Sequence, residues 1–98
     1  MFLRMFIELC LLDKWCFKKD TDYYGGDFRS EYTNTADDCQ SLCKEDDHCV
    51  AFTWIDIDVS EGPLIPWAGK CHLKRKYRHG TYLPHVISGP KYCGKFLF

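Results

Sequence analysis

No stretch of this 98-residue sequence is long and apolar enough to span a bilayer, no segment repeats, and no tract is of low complexity. Net charge is nearly absent, at -1, so no global field draws the chain to nucleic acid or to anionic membrane. The signatures of catalysis are missing too: there is no G-x-S-x-G elbow, no H-E-x-x-H and no Walker-type loop. Nor are there the paired C-x2-C knuckles that usually mark structural zinc. Cys39, Cys43, Cys49, His48 and His72 therefore read as framework and surface residues, and neither a metal nor a cofactor is expected. The acidic pairs Asp37/Asp38 and Asp46/Asp47 fall at a helix start and in the turn after it, where capping and solvation account for them. Two cores would each be too small at this length, so one domain is expected.

What the chain does have is cysteine: Cys10, Cys16, Cys39, Cys43, Cys49, Cys71 and Cys93. A small domain with a limited core gains most from cross-links, and cross-links persist in an oxidising compartment. The odd total leaves one thiol over, and Cys10 is the outlier, open to covalent or non-covalent self-association. The charges are unevenly placed. From Asp20 to Glu61 there are twelve acidic residues against two basic ones, and from Lys70 to Lys95 seven basic residues and no acidic ones. That division polarises the domain unless the fold interleaves the halves.

Residues 1–15 begin with an apolar run, MFLRMFIELCLL, interrupted by Arg4 and Glu8 and followed by no small-x-small cleavage site. A degraded secretion signal and a fragment or misassigned gene start explain it equally well; an amphipathic surface helix is the third reading. Asp20 to Asp27 is polar and turn-rich, with Gly25-Gly26 able to take positive φ. Phe28 to Thr33 alternates as a short strand. About Ala36 to Lys44 the spacing predicts a helix, N-capped by Asn34 or Thr35, with Cys39, Leu42 and Cys43 on one face toward a sheet. Cys49 to Ile55 reads as a central strand. Asp56 to Gly69 reads as a loop bent by Pro63 and Pro66. In the strand Cys71 to Lys76, Cys71 and Leu73 face inward and His72, Lys74 and Lys76 outward. Tyr82 to Ile87 is a further strand, demoted toward an edge by Pro84, and Ser88-Gly89-Pro90 is a turn. One helix against a small antiparallel sheet makes an α+β domain.

Five ordered segments then resemble the PAN/apple domain family: Gly25-Gly26-Asp27-Phe28, Cys39-Gln40-Ser41-Leu42-Cys43, Cys49-Val50-Ala51-Phe52-Thr53-Trp54, Cys71-His72-Leu73-Lys74 and Ser88-Gly89-Pro90-Lys91-Tyr92-Cys93. The resemblance runs over 16–93 and leaves 94–98 as a short tail. It implies a disulfide-rich fold in which about five antiparallel strands cradle one α-helix. It also implies three nested bridges: Cys16–Cys93 tying the ends, Cys39–Cys71 pinning helix to sheet, and Cys43–Cys49 closing the helix end. His72 departs from the family pattern, which commonly has an aromatic after the fifth cysteine; an altered surface is the expected consequence.

With the framework cysteines cross-linked and the histidines in turns or on outward positions, no nucleophile–base pair is expected, and the chain reads as no enzyme. Two surfaces are candidates for binding. The first is the basic stretch Lys74, Arg75, Lys76, Tyr77, Arg78 and His79 with Tyr82, whose cations pair with sulfates or carboxylates while an aromatic face stacks on a sugar. The second is Leu64, Ile65 and Trp67 in the proline-bent loop, which covers the sheet or presents a protein-binding tip. The resemblance implies a secreted or cell-surface recognition and adhesion module for a protein or carbohydrate ligand, with no nucleic acid and no transmembrane span. The alternative is a structural or association domain within a longer secreted protein, such as an apple-domain protease precursor or an adhesin.

Overall fold

The helix forms where its signals are densest. Thr35, in extended backbone, accepts the Asp38 amide hydrogen through its side chain and caps α1 (Ala36–Glu45), while Asp37 and Asp38 sit at the positive end of the helix dipole. Its inward face is Ala36, Cys39, Gln40 and Cys43. The computed structural model describes residues 16–78 and 80–93. The expectations for residues 1–15, Cys10 among them, for the tail 94–98 and for His79 lie outside the described residues.

Five strands make one antiparallel sheet: β1 (Lys18–Tyr23), β2 (Asp27–Tyr32), β3 (Ala51–Ile55), β4 (Lys70–Lys74) and β5 (Gly80–Pro90), in the order β1-β5-β3-β4-β2. The helix packs on one face. There Cys39, Cys43, Cys49, Phe52, Trp54, Cys71 and Leu73 form the main core, joined by Phe17, Phe28, Leu42 and Ile87. On the opposite face Ile55, Val59 and Val86 form a smaller core with Leu64, Ala68 and Leu83, under the loop between β3 and β4. That loop contains a single 3-10 turn, Ile65–Trp67. Three disulfides join Cys16 to Cys93, Cys39 to Cys71 and Cys43 to Cys49. These are the pairs implied by the resemblance.

Three local expectations are corrected. Lys18–Tyr23 is a strand and not part of a polar turn; its KKDTDY sequence hides the fact because only Tyr23 is buried. β5 is not an edge strand, since β1 and β3 flank it. Pro84 is tolerated because the β1 register jumps from Lys19↔Ile87 to Thr21↔Tyr82, and the β3 pairing begins only at Val86. Pro84 thus lies in a bulge where no ladder hydrogen bond is needed. Asp20 (φ 53) and His85 (φ 70) hold that bulge in the left-handed region, and the Asp20 carboxylate accepts the His85 amide hydrogen at 3.0 Å. Finally, Ser88-Gly89-Pro90 is the end of β5, paired with Thr53, Phe52 and Ala51, and not a turn. Gly89 serves packing, for a Cβ there would lie 2.9 Å from the Phe52 ring and 3.0 Å from that of Phe17.

The topology also settles the charge division. Acidic β2 pairs with basic β4 and β1 with β5, so the two halves interleave. Arg29 on β2 bonds Glu31 and reaches Asp46 past the helix end at 2.9 Å. The Asp46 carboxyl is held below its ordinary value, first by the His48 amide and then by Arg29.

Of the three bridges, Cys39–Cys71 spans 32 residues and links the two layers, whereas Cys43–Cys49 spans 6. Chain entropy alone assigns about 4 kcal/mol to the first and about 2 kcal/mol to the second. Replacing Cys39 and Cys71 together by alanine should therefore lower unfolding stability more than the same change at Cys43 and Cys49, as measured by denaturant titration.

Candidate ligand-binding site

The phase of β4 builds the site. Because Cys71 and Leu73 face the helix, His72 and Lys74 point from the other face of the sheet. That face is not open solvent. The β1–β2 turn folds over it, with Gly25 (φ 87) and Gly26 (φ 76) in the left-handed region. A Cβ on Gly26 would sit 2.4 Å from the Lys76 carbonyl oxygen, so glycine alone permits this approach. The Arg75 amide donates to the Gly26 carbonyl at 2.9 Å and fixes the turn to the end of β4.

Between that turn and the β3–β4 loop lies a cavity of about 380 Å³, a size suited to a small ligand. Lys74 has a side chain only 3% exposed. Its Nζ donates to Asp27 Oδ1 at 2.5 Å and to the Gly25 carbonyl at 3.3 Å, and stands 4.0 Å from Asp22 Oδ1. Asp27 Oδ2 lies 3.6 Å from His72 Nδ1, beyond hydrogen-bonding distance. Thr53 contributes a hydroxyl held 2.6 Å from Ser88 Oγ, which donates in turn to the Thr21 carbonyl. Ile55, Leu64, Leu83 and Val86 supply apolar walls, and the exposed Tyr24 ring stands at the rim. Burial pushes the His72 imidazole below its ordinary value, with Lys74 and Lys70 acting in the same sense and Asp27 opposing.

The candidate basic cluster is dispersed. Lys74 is not outward into solvent but buried in the cavity, because the second sheet face is itself covered. Arg75 lies over the Phe28 ring at 5.0 Å. Tyr77 stacks on Tyr23 at 4.7 Å, and with Lys18, Arg78 and Gly80 the pair lines a separate open groove that Lys76 and Tyr82 do not enter. Tyr82 is 79% exposed on β5. In the proline-bent loop Leu64 covers the sheet, whereas Ile65 and Trp67 remain exposed, with Lys70 Nζ over the Trp67 ring at 4.7 Å. The sequence reading missed Asp22, Tyr24, Asp27, Thr53 and His72 as site residues, His72 having been expected only to alter the surface. The signal for Thr53 was available, as it pairs across from His72 once β3 and β4 are aligned. Nothing local marks Asp22 or Tyr24.

Five antiparallel strands, one helix and three disulfides make this a disulfide-stapled α+β module. The family model described as the PAN domain matches residues 21–74, more than half of the chain, and the chain belongs to that family. Among solved structures it is similar to the two N-terminal apple domains of microneme protein 4 from Toxoplasma gondii, at 28% identity and a TM-score of 0.58. That match covers 81% of this chain and 46% of the other, so the chain spans about half the length of that relative. A PAN module from Eimeria tenella shares the fold at 23% identity and a TM-score of 0.53, covering 80% of each chain. No curated protein matches. Domains of this family are generally non-catalytic modules of extracellular proteins that bind protein or carbohydrate. Among the described residues no helix is long and apolar enough to cross a membrane.

Two measurements probe this geometry. Changing Lys74 to serine should cost about 2 kcal/mol of stability, because it strips a packed stem and leaves Asp22 and Asp27 without their shared cation. Lys76→Ser and Arg78→Ser, on exposed positions, should each stay within about 0.5 kcal/mol by thermal denaturation. The second concerns pH. His72 is harder to protonate in the folded chain, so the unfolded chain binds more protons below neutrality. The His72 contribution to stability is full above the ordinary histidine range and is lost as pH falls through the depressed folded value. His72→Gln should flatten the dependence of Tm on pH across roughly pH 7 to 5.

Proposed function

We propose that this chain is a secreted, non-catalytic recognition module that binds a carbohydrate ring in the cavity on the sheet face away from the helix. The observation that carries the reading is the buried Lys74 ammonium between Asp27 and Asp22 at the cavity wall, with the Tyr24 ring exposed at its rim. Sugars present adjacent hydroxyls, and the half-exposed Asp27 carboxylate, held in place by Lys74, is a charged acceptor for them. Their C–H faces pack on aromatic rings, which Tyr24 offers. The apolar walls of Leu64, Leu83 and Val86 exclude water around those few polar contacts.

A second reading, association with a protein, is favoured by the exposed apolar surface of Ile57, Ile65, Trp67 and Tyr32. Gly69 lies against both Ile57 and Tyr32, and Lys70 Nζ stands over the Tyr32 and Trp67 rings. Such a patch suits an interaction within a longer parent chain or with a partner.

The two readings separate on one screen. The refolded full chain should bind neutral oligosaccharides on a glycan array, and Tyr24→Ala should weaken that binding roughly tenfold while Tyr82→Ala leaves it unchanged. An empty array, or a Tyr24→Ala variant that binds as well as the parent, removes the carbohydrate reading. Retained glycan binding in Trp67→Ala would place the apolar patch outside the sugar site.

A further inference from the structure

The cavity contains one group that its electrostatics do not require. Lys74 is satisfied by Asp27 Oδ1 and the Gly25 carbonyl, with Asp22 close by. His72 makes no hydrogen bond there, yet its ring lines the same wall and its Nδ1 faces the second oxygen of Asp27. Resting on the reading of this cavity as the ligand site, we propose that His72 is a proton-operated latch, which closes the cavity to its ligand by capturing Asp27 Oδ2.

The geometry sets the direction. With the ring neutral, nothing holds Oδ2 at 3.6 Å, and that oxygen is available to a ligand hydroxyl. When the ring gains a proton, Nδ1–H becomes a charged donor facing a carboxylate less than a bond length's adjustment away. Asp27 then bridges two cations, Lys74 through Oδ1 and His72 through Oδ2, and the lone pair of Oδ2 that faces the cavity wall at His72 is no longer open to the ligand. The charged and titratable groups facing His72 are Asp27 on β2, Lys74 and Lys70 on its own strand, Asp22 on β1 and the Tyr24 phenol in the β1–β2 turn. β3 and β5 offer only Thr53, Ile55, Leu83 and Val86 to the same space. Burial delays protonation, so the latch is open at neutral pH and engages on acidification. His85 sits in the β1–β5 bulge outside the cavity lining, and His48 lies beyond the helix end, so neither substitutes for His72.

The test uses the full chain with carbon and nitrogen labels, titrated by NMR from about pH 7.5 to about pH 5. The probes are the methyl glycosides of glucose, galactose, mannose and N-acetylglucosamine. The Asp27 carboxyl carbon should move with the same midpoint as the His72 ring, and that movement should vanish in His72→Gln. A glycoside that binds at the upper pH should bind about tenfold more weakly at the lower one, and His72→Gln should largely abolish the difference. His72→Asn serves equally should the glutamine variant not fold. A His72 ring that titrates without any response at Asp27, or a bound glycoside that keeps its affinity at the lower pH, overturns the latch. If none of the four glycosides binds at either pH, the carbohydrate reading fails, while the latch is still decided by the Asp27 response in the free protein.

Discussion

The disulfide between Cys39 and Cys71 sets the phase of everything around it. It ties the inward face of the helix to a strand that pairs on both sides, so Cys71 must look toward the helix. Strand alternation then leaves no choice for its neighbours: Leu73 joins the helix-side core, and His72 and Lys74 are driven to the opposite face. A slip of one residue would bury two polar side chains under the helix and turn Leu73 toward the cavity face. The bridge therefore does more than constrain the unfolded chain. It decides which side chains become core and which become site.

Once Lys74 is committed to that face, its burial has to be compensated. An ammonium out of water is costly unless paired and hydrogen-bonded, and the fold supplies Asp27, Asp22 and the Gly25 carbonyl from segments some fifty residues away in sequence. That is the work of the glycine pair. Without positive φ at Gly25 and Gly26 the β1–β2 turn could not close onto the end of β4 and bring the Gly25 carbonyl and Asp27 to Lys74. The cavity is thus a by-product of satisfying one buried cation. Its polar wall and its apolar roof come from different parts of the chain, the roof from the loop carrying Leu64 and from the bulge carrying Leu83.

The same arrangement explains why the basic stretch after Cys71 misleads as a linear motif. Four cations with a tyrosine and a histidine read as one exposed cluster when the strand is imagined with a single covered face. With both faces covered, Lys74 belongs to a buried ion pair, Arg75 lies over Phe28, and Tyr77 is occupied by Tyr23. Pro84 misleads in a similar way. A proline forbids a ladder hydrogen bond only at its own position, and a bulge removes the requirement without moving the strand to an edge.

Local chemistry, by itself, determined the helix and a cap at Asn34 or Thr35, the inward phase of Cys39, Cys43, Cys71 and Leu73, the strand through Phe52 and Trp54, and the glycine turn. Each of these depends on neighbours within a few residues, and periodicity or φ preference suffices to read them. The cysteine pairing was legible only through family resemblance, since spacing leaves many pairings open. Tertiary structure alone decided that β1 exists, that β5 lies inside the sheet, and that His72 and Lys74 share a cavity with Asp22, Tyr24, Asp27 and Thr53. The reason is physical: these facts rest on which strands pair and on what covers the second face of the sheet. Those are contacts between distant segments, and no local pattern encodes them.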